Sequence, residues 1–201
     1  MMNKRGQVIV ITGPSGVGKG SILRGAMARD KSLCFSVSAT TRAPRPGELD
    51  GRDYFFVDRE RFERMAAGGE LLEHAQYGGN RYGTPRDALL RQLDSGSDVI
   101  LDIDLQGARQ VMSSFPEALF VFILPPDFET LEKRLTGRGT ETPEKIAVRL
   151  DTARRELACY REFQFVIVND ALENAVEDLL AIIRAGRCRC SEYIWRTDAI
   201  K

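Results

Sequence analysis

The stretch Gly13-Pro14-Ser15-Gly16-Val17-Gly18-Lys19-Gly20 follows directly on the apolar run Gln7-Val8-Ile9-Val10-Ile11-Thr12. Such a β-branched run reads as a buried parallel strand, because a strand covered on both faces shows no polar side. The glycines then let the backbone turn, so that several N–H groups can point at one anion. A helix starting near Gly18 adds its positive end, and Lys19 adds a full charge. Gly13, Gly18 and Lys19 match G-x-x-x-x-G-K, the phosphate-binding loop or P-loop. One position departs from the strict pattern: Gly20 stands where a Ser or Thr would reach a magnesium ion, and Ser21 comes one place late.

The 201 residues suffice for one filled core and a small inserted lobe. Lys plus Arg and Asp plus Glu number 29 each, and this balance argues against a general binder of nucleic acid polymers. No apolar stretch approaches membrane-spanning length, and the first residues run straight into the first strand, so a cytoplasmic protein without a membrane partner is expected. Cys34, Cys159, Cys188 and Cys190 have neither C-x-x-C nor a paired metal spacing and read as reduced thiols. His74 is the sole histidine, which excludes a mechanism needing several His ligands.

Along the chain, strands and helices alternate. Helices are predicted from about Gly18 to Arg29, over Arg59 to Ala67 behind Asp58, and from Pro85 to about Ser95. Further helices are predicted over Leu105 to Ser113, from Asp127 to Leu135, and from Thr142-Pro143 onward. A last helix, capped by Asn169-Asp170, carries the stripe Leu172, Ala175, Val176, Leu179, Leu180 and Ile183. Strands are expected at Leu33–Ser38, Tyr54–Val57, Asp98–Ile103, Leu119–Leu124 and Phe165–Val168, with a hairpin from Glu70 to Gly83 around Gly78-Gly79. The pattern predicts an α/β fold: a parallel sheet with helices on both faces. Residues 39–84 form a β-rich block inside it and read as an inserted lobe.

Several residues carry candidate chemistry. Asp102 ends a buried strand and is placed either to hold magnesium, through water, or to cap the following helix. Arg42 and Arg45, with Tyr54 and Tyr82, can hold one phosphate from several sides. Glu73 is acceptor-only, which suits a base edge offering two adjacent donors, as guanine does with N1–H and its 2-amino group. Asp104 could take further donors, and Ser38 or Thr84 could meet the O6 and N7 acceptors. Arg134, Arg138 and Arg149 stand around the glycine-flanked break Gly137–Thr140, either as phosphate-closing charges or as a solvated helix face.

Taken together, these motifs resemble the guanylate kinases, in a bacterial-type form, within the P-loop nucleoside-monophosphate kinases. The resemblance covers about Gly6 to Arg184. It rests on the 13–19 loop, Ser36–Glu48, Tyr82-Gly83-Thr84, Ile100–Gly107 and Gly137–Thr142. It implies a core of residues 6–38, 85–125 and 159–184, a GMP-binding lobe of 39–84, a helical lid of about 126–158, and a tail of 185–201 without an assigned role. It also implies transfer of the γ-phosphoryl group from ATP to GMP with Mg2+, giving ADP and GDP, in purine nucleotide metabolism. Carried over by position, Gly13 to Ser21 and Asn169 match the ATP site. Ser38, Arg42, Arg45, Tyr54, Glu73, Tyr82, Thr84 and Asp104 match GMP-binding positions. Lys19, Arg134, Arg138 and Arg149 match the catalytic cations, and Gly20 is a recurrent family variant. ATP and GMP are the expected partners, and oligomeric state stays open. Two rival readings remain: a non-catalytic guanylate-kinase-like peptide-binding module, and a kinase for AMP, dTMP or another monophosphate.

Overall fold

β1 (Val8–Thr12) is buried along its whole length, which is possible only in the interior of a covered sheet. The computed structural model describes residues 5–136 and 143–189, and among these the side chains of all but Tyr77 and residues 143–145. It places β1 at the centre of a five-stranded parallel sheet. The other strands are β2 (Leu33–Phe35), β7 (Asp98–Asp102), β8 (Leu119–Leu124) and β9 (Phe165–Val168), in the order β2-β7-β1-β8-β9.

Alternate residues of β1 feed two cores. Ile9 and Ile11 pack with Ile22 and Leu23 of α1 (Lys19–Arg29) and with Val176, Leu179 and Ile183 of α7 (Leu172–Gly186). Val8 and Val10 pack on the other face with Leu89 and Leu93 of α3 (Arg86–Asp94) and with Ala108 and Val111 of α4 (Leu105–Ser114). Each such fully buried aliphatic side chain is worth roughly 1.5–3 kcal/mol. Helices α5 (Phe128–Thr136) and α6 (Pro143–Leu157) seat Leu131, Leu135, Leu150 and Ala153 in the same core as Ile9 and Val17. The span expected as a lid is therefore anchored at its base.

The 39–84 block folds as a second sheet, in the order β4-β3-β6-β5, from β3 (Ala39–Thr40), β4 (Phe55–Phe56), β5 (Leu71–Tyr77) and β6 (Asn80–Pro85). α2 (Arg59–Ala67) buries Phe62 and Met65 against Ala39 and Leu71, and its start is capped by Asp58, which accepts the Arg61 N–H. Gly78 and Gly79 close the β5–β6 hairpin with positive φ at both positions.

Four expectations are corrected. β2 stops at Phe35 instead of Ser38: after Ser36 N–H bonds Ile100 O, the chain leaves the core sheet to reach β3 in the lobe. The strand expected over Tyr54–Val57 shrinks to β4, with Tyr54 only bridged to Asp50. The strand expected to reach Ile103 ends at Asp102. α7 is capped by Ala171 with no side-chain bond, not by Asn169-Asp170, because the Asn169 amide is engaged elsewhere; Leu172 of its stripe is exposed. Arg138, Cys190, the Gly137–Thr140 break and the expected cap Thr142 lie outside the described residues.

Past α7, Arg187 ties the end of that helix to the sheet. Its Nε donates to Asp98 Oδ2 at 2.6 Å, and its terminal nitrogen to Asp30 Oδ2 and Ser32 Oγ, both at 2.7 Å. Gln7 N–H bonds the other Asp98 oxygen at 3.0 Å. No helix among the described residues is long and apolar enough to cross a membrane.

Candidate active site

The glycine loop lies where β1 ends and α1 begins. Gly18 is the residue before α1, with φ 96°. A side chain there would be strained, and its Cβ would collide with Asn169 Nδ2. That amide nitrogen donates to Val17 O at 2.7 Å. Arg134 of α5 reaches the same carbonyl at 3.4 Å and Asn169 O at 3.1 Å, while Arg149 of α6 donates to Ser15 Oγ. Two of the three predicted arginines therefore already stand on the loop. Lys19 Nζ donates to Gly13 O at 2.7 Å, which curls the lysine over the strand-to-loop junction.

Asp102 stands at the end of β7, paired in register with Ile11 just before the loop. Its carboxyl is accessible from the crevice yet crowded by protein. This partial desolvation pushes it up from the ordinary aspartate range, and the Lys19 charge pulls it back. Asp102 does not cap the next helix. Asp104 does, its Oδ1 accepting the Gly107 N–H at 2.8 Å. Ser21 Oγ accepts from Arg24 at 3.1 Å, so this hydroxyl is engaged along α1. Among the described residues no group of three or more His, Cys, Asp or Glu could hold a metal alone. The donor set fits an ion that takes one carboxylate, directly or through water, and brings phosphate oxygens with it, which is the habit of magnesium.

In the lobe, Ser38, Tyr54, Glu73, Tyr82, Asp102 and Asp104 line one cavity of about 200 Å³. It adjoins a hollow of about 440 Å³ that shares Ser38, Tyr54 and Asp102 and also touches Thr84. Glu73 is only 4% exposed. Its Oε1 accepts the Thr84 hydroxyl at 2.7 Å. The hydroxyl expected to face the base acceptors thus donates to Glu73 in this structure. Burial pushes the Glu73 carboxyl up to about 7, with Thr84 pulling down and the nearby Asp104 charge pushing up.

Arg42 lies over Tyr54, its guanidinium carbon 5.2 Å from the ring centroid, and Tyr54 meets Tyr82 edge-on at 6.2 Å. Glu48, which sequence reasoning missed, braces this loop. One oxygen accepts from Arg42 at 2.9 Å and the other from Arg45 N–H at 2.7 Å. The Arg42 bond holds the Glu48 carboxyl below its usual range. The readable signal was its position three residues after Arg45, across the Pro46-Gly47 turn. Arg45 leaves the same loop with its side chain exposed. Glu156 of α6 is a second omission. Burial pushes its carboxyl up while Lys19 pulls it down, and it shares a hollow with Asp104.

A P-loop on a parallel sheet, facing a lobe whose cavity is lined by a buried carboxylate, is the layout of a nucleoside-monophosphate kinase. The family model described as guanylate kinase matches residues 5–186. A guanylate kinase from Trichormus variabilis is 55% identical over 172 residues, 86% of this chain and 86% of that one. One from Streptococcus agalactiae is 47% identical over 202 residues, 100% of this chain and 97% of its own. The crystal structure of guanylate kinase from Anaplasma phagocytophilum superposes with a TM-score of 0.72 at 35% identity, covering 94% of this chain and 90% of that chain. The chain belongs to the guanylate kinase family. These relatives support an enzyme and not a peptide-binding module.

Proposed function

We propose that this chain transfers the γ-phosphoryl group of ATP to GMP, giving ADP and GDP, as a cytoplasmic step of purine nucleotide metabolism and GMP recycling. The observation that carries the choice of guanine is the buried, acceptor-only Glu73 beside Asp104 at one cavity. Guanine presents two adjacent donors to such a pair, whereas adenine presents the N1 acceptor and a C2–H there.

In this reading the base enters the Glu73–Asp104 cavity, with Ser38 at its edge. Its phosphate meets Arg42, Arg45, Tyr54 and Tyr82, so Glu48 must release Arg42 in part. The ATP phosphates lie on the 13–21 loop, with Asn169 on the adenine side. A GMP phosphate oxygen is already anionic near pH 7, so no strong base is needed. The difficulty is charge. Lys19, Arg134, Arg138 and Arg149 offset the repulsion between two polyanions and hold them in line, and lobe closure excludes water. Asp102, with Ser21 the weaker candidate, would hold Mg2+, which screens phosphate charge when bound. Residues 39–84 serve as the GMP lobe, about 126–158 as the lid and the remainder to 184 as the core.

A coupled ADP-release assay with ATP and magnesium, comparing GMP, dGMP, AMP, dTMP and UMP, tests the reading. GMP-dependent turnover far above AMP is expected. Equal use of AMP would remove Glu73 from its role, and no turnover by folded protein would refute the reaction.

A further inference from the structure

β5 does not run in simple register. Leu71 pairs with Pro85 and His74 with Gly83, so three steps along β5 cover two along β6. This is a bulge at Leu72-Glu73. Its effect is visible in where the side chains go. Leu71 joins the lobe core with Phe62, and the His74 ring meets Phe62 edge-on at 6.4 Å, although strict alternation would put the two on opposite faces. The extra residue sends Leu72 into the main core and leaves Glu73 in the base cavity. The aim of Glu73 therefore depends on the bulge holding its shape.

β5 is the outer strand of its sheet, so the main-chain groups facing away from β6 have no strand to meet. At His74 they meet Gln110 of α4. The His74 N–H donates to Gln110 Oε1 at 3.1 Å, and Gln110 Nε2 donates to His74 O at 2.8 Å. A side-chain amide here does the work of a neighbouring strand, one residue past the bulge. Asp104, the cap of α4, and Gly107 and Gln110 within it follow one another at three-residue steps. Asp104 lines the cavity, and Gly107 lies against the Glu73 carboxylate.

We propose that Gln110 is a positioning residue for guanine selection: by pairing with the His74 peptide it fixes the bulge that aims Glu73 at the base. The inference rests on the kinase reading above. Its purpose is selectivity, since a carboxylate that can drift no longer distinguishes a purine with a 2-amino group from one without it.

The test is Gln110→Met, which keeps length and volume and offers neither bond, assayed with GMP and with inosine monophosphate, which lacks the 2-amino group. The KM for GMP should rise about tenfold, the scale of losing two part-buried hydrogen bonds to one peptide group, with kcat and the KM for ATP nearly unchanged. The ratio of kcat/KM for GMP over inosine monophosphate should narrow. In a Glu73→Gln background the same substitution should add nothing to that ratio, because Gln110 acts through Glu73. An unchanged ratio in folded Gln110→Met, or an equal loss in the Glu73→Gln background, would overturn the inference while leaving the kinase reading intact. Absence of GMP turnover by the unsubstituted chain would overturn both. Should Gln110→Met fail to fold, Gln110→Glu retains the acceptor for His74 N–H, lacks the donor, and is read by the same ratio.

Discussion

Glu73 and Gly107 touch so closely that a Cβ on Gly107 would stand 2.7 Å from Glu73 Oε2. α4 can approach the base cavity only because this position carries no side chain. Gly107→Ala sets a local gain of about 1 kcal/mol in helix propensity against displacement of the buried carboxylate. The expected outcome is a melting temperature near that of the parent with a KM for GMP raised roughly tenfold. Kinetics and thermal unfolding on one preparation check this, and an unchanged KM would show that Glu73 has room to yield.

Glu73 also sets a pH dependence. Its carboxyl, near 7 when folded, titrates well above its unfolded range. A raised acid stabilises the folded state below the unfolded value, and that contribution is lost as pH rises through about 7. Glu73→Gln should therefore make the ligand-free protein more stable at pH 8, by up to about 3 kcal/mol, and the advantage should fade toward pH 4. Urea unfolding across that range measures it.

In the proposed reading the same ionisation governs binding. Only the carboxylate accepts both guanine donors, so kcat/KM for GMP should fall as pH drops below about 7. The phosphate of GMP titrates nearby, so the informative quantity is the difference between the parent and Glu73→Gln profiles. Superimposable profiles would detach Glu73 from the base. Glu73→Gln should also relax the preference for GMP over other monophosphates.

Lys19→Ala should reduce turnover by about 100-fold or more while leaving the fold intact, since it removes a charge from the proposed reaction centre. Its present bond, to Gly13 O, is one that water can replace in this accessible crevice. Circular dichroism and single-turnover assays decide. Near-normal turnover would remove Lys19 from the mechanism.

Arg187→Ala should act on stability alone. The Asp98 side chain is 6% exposed, and without Arg187 the donors it keeps among the described residues are those of Gln7. A loss of about 2–4 kcal/mol is expected from an ion pair of this burial, read by urea denaturation, with KM values for both substrates unchanged.

Much of this was legible in the chain. The apolar run of β1, the glycine loop and most of the helices are local patterns, and they appear with nearly the expected bounds. The lobe residues Ser38, Tyr54, Glu73, Tyr82 and Asp104 did converge on one cavity. Reading failed where one group serves a distant one. Asn169 looked like a helix cap because its side chain suits that role; tertiary contact claimed it for Val17. The bond from the Thr84 hydroxyl to the buried Glu73 carboxyl, which links β6 to β5, was likewise not readable from either residue alone. The β5 bulge left no mark, because Leu71-Leu72 reads equally well in either register. Arg187 stands one residue beyond the family match and clasps the sheet through two aspartates far apart in sequence.

The bond from Asn169 to Val17 spans 152 positions. The glycine loop and the amide that braces it are therefore joined only when β9 docks beside β8 at the far edge of the core sheet. The shape of the loop is a property of the closed tertiary structure, not of the local sequence that spells it, and a peptide cut from residues 7–29 would carry the motif without its brace.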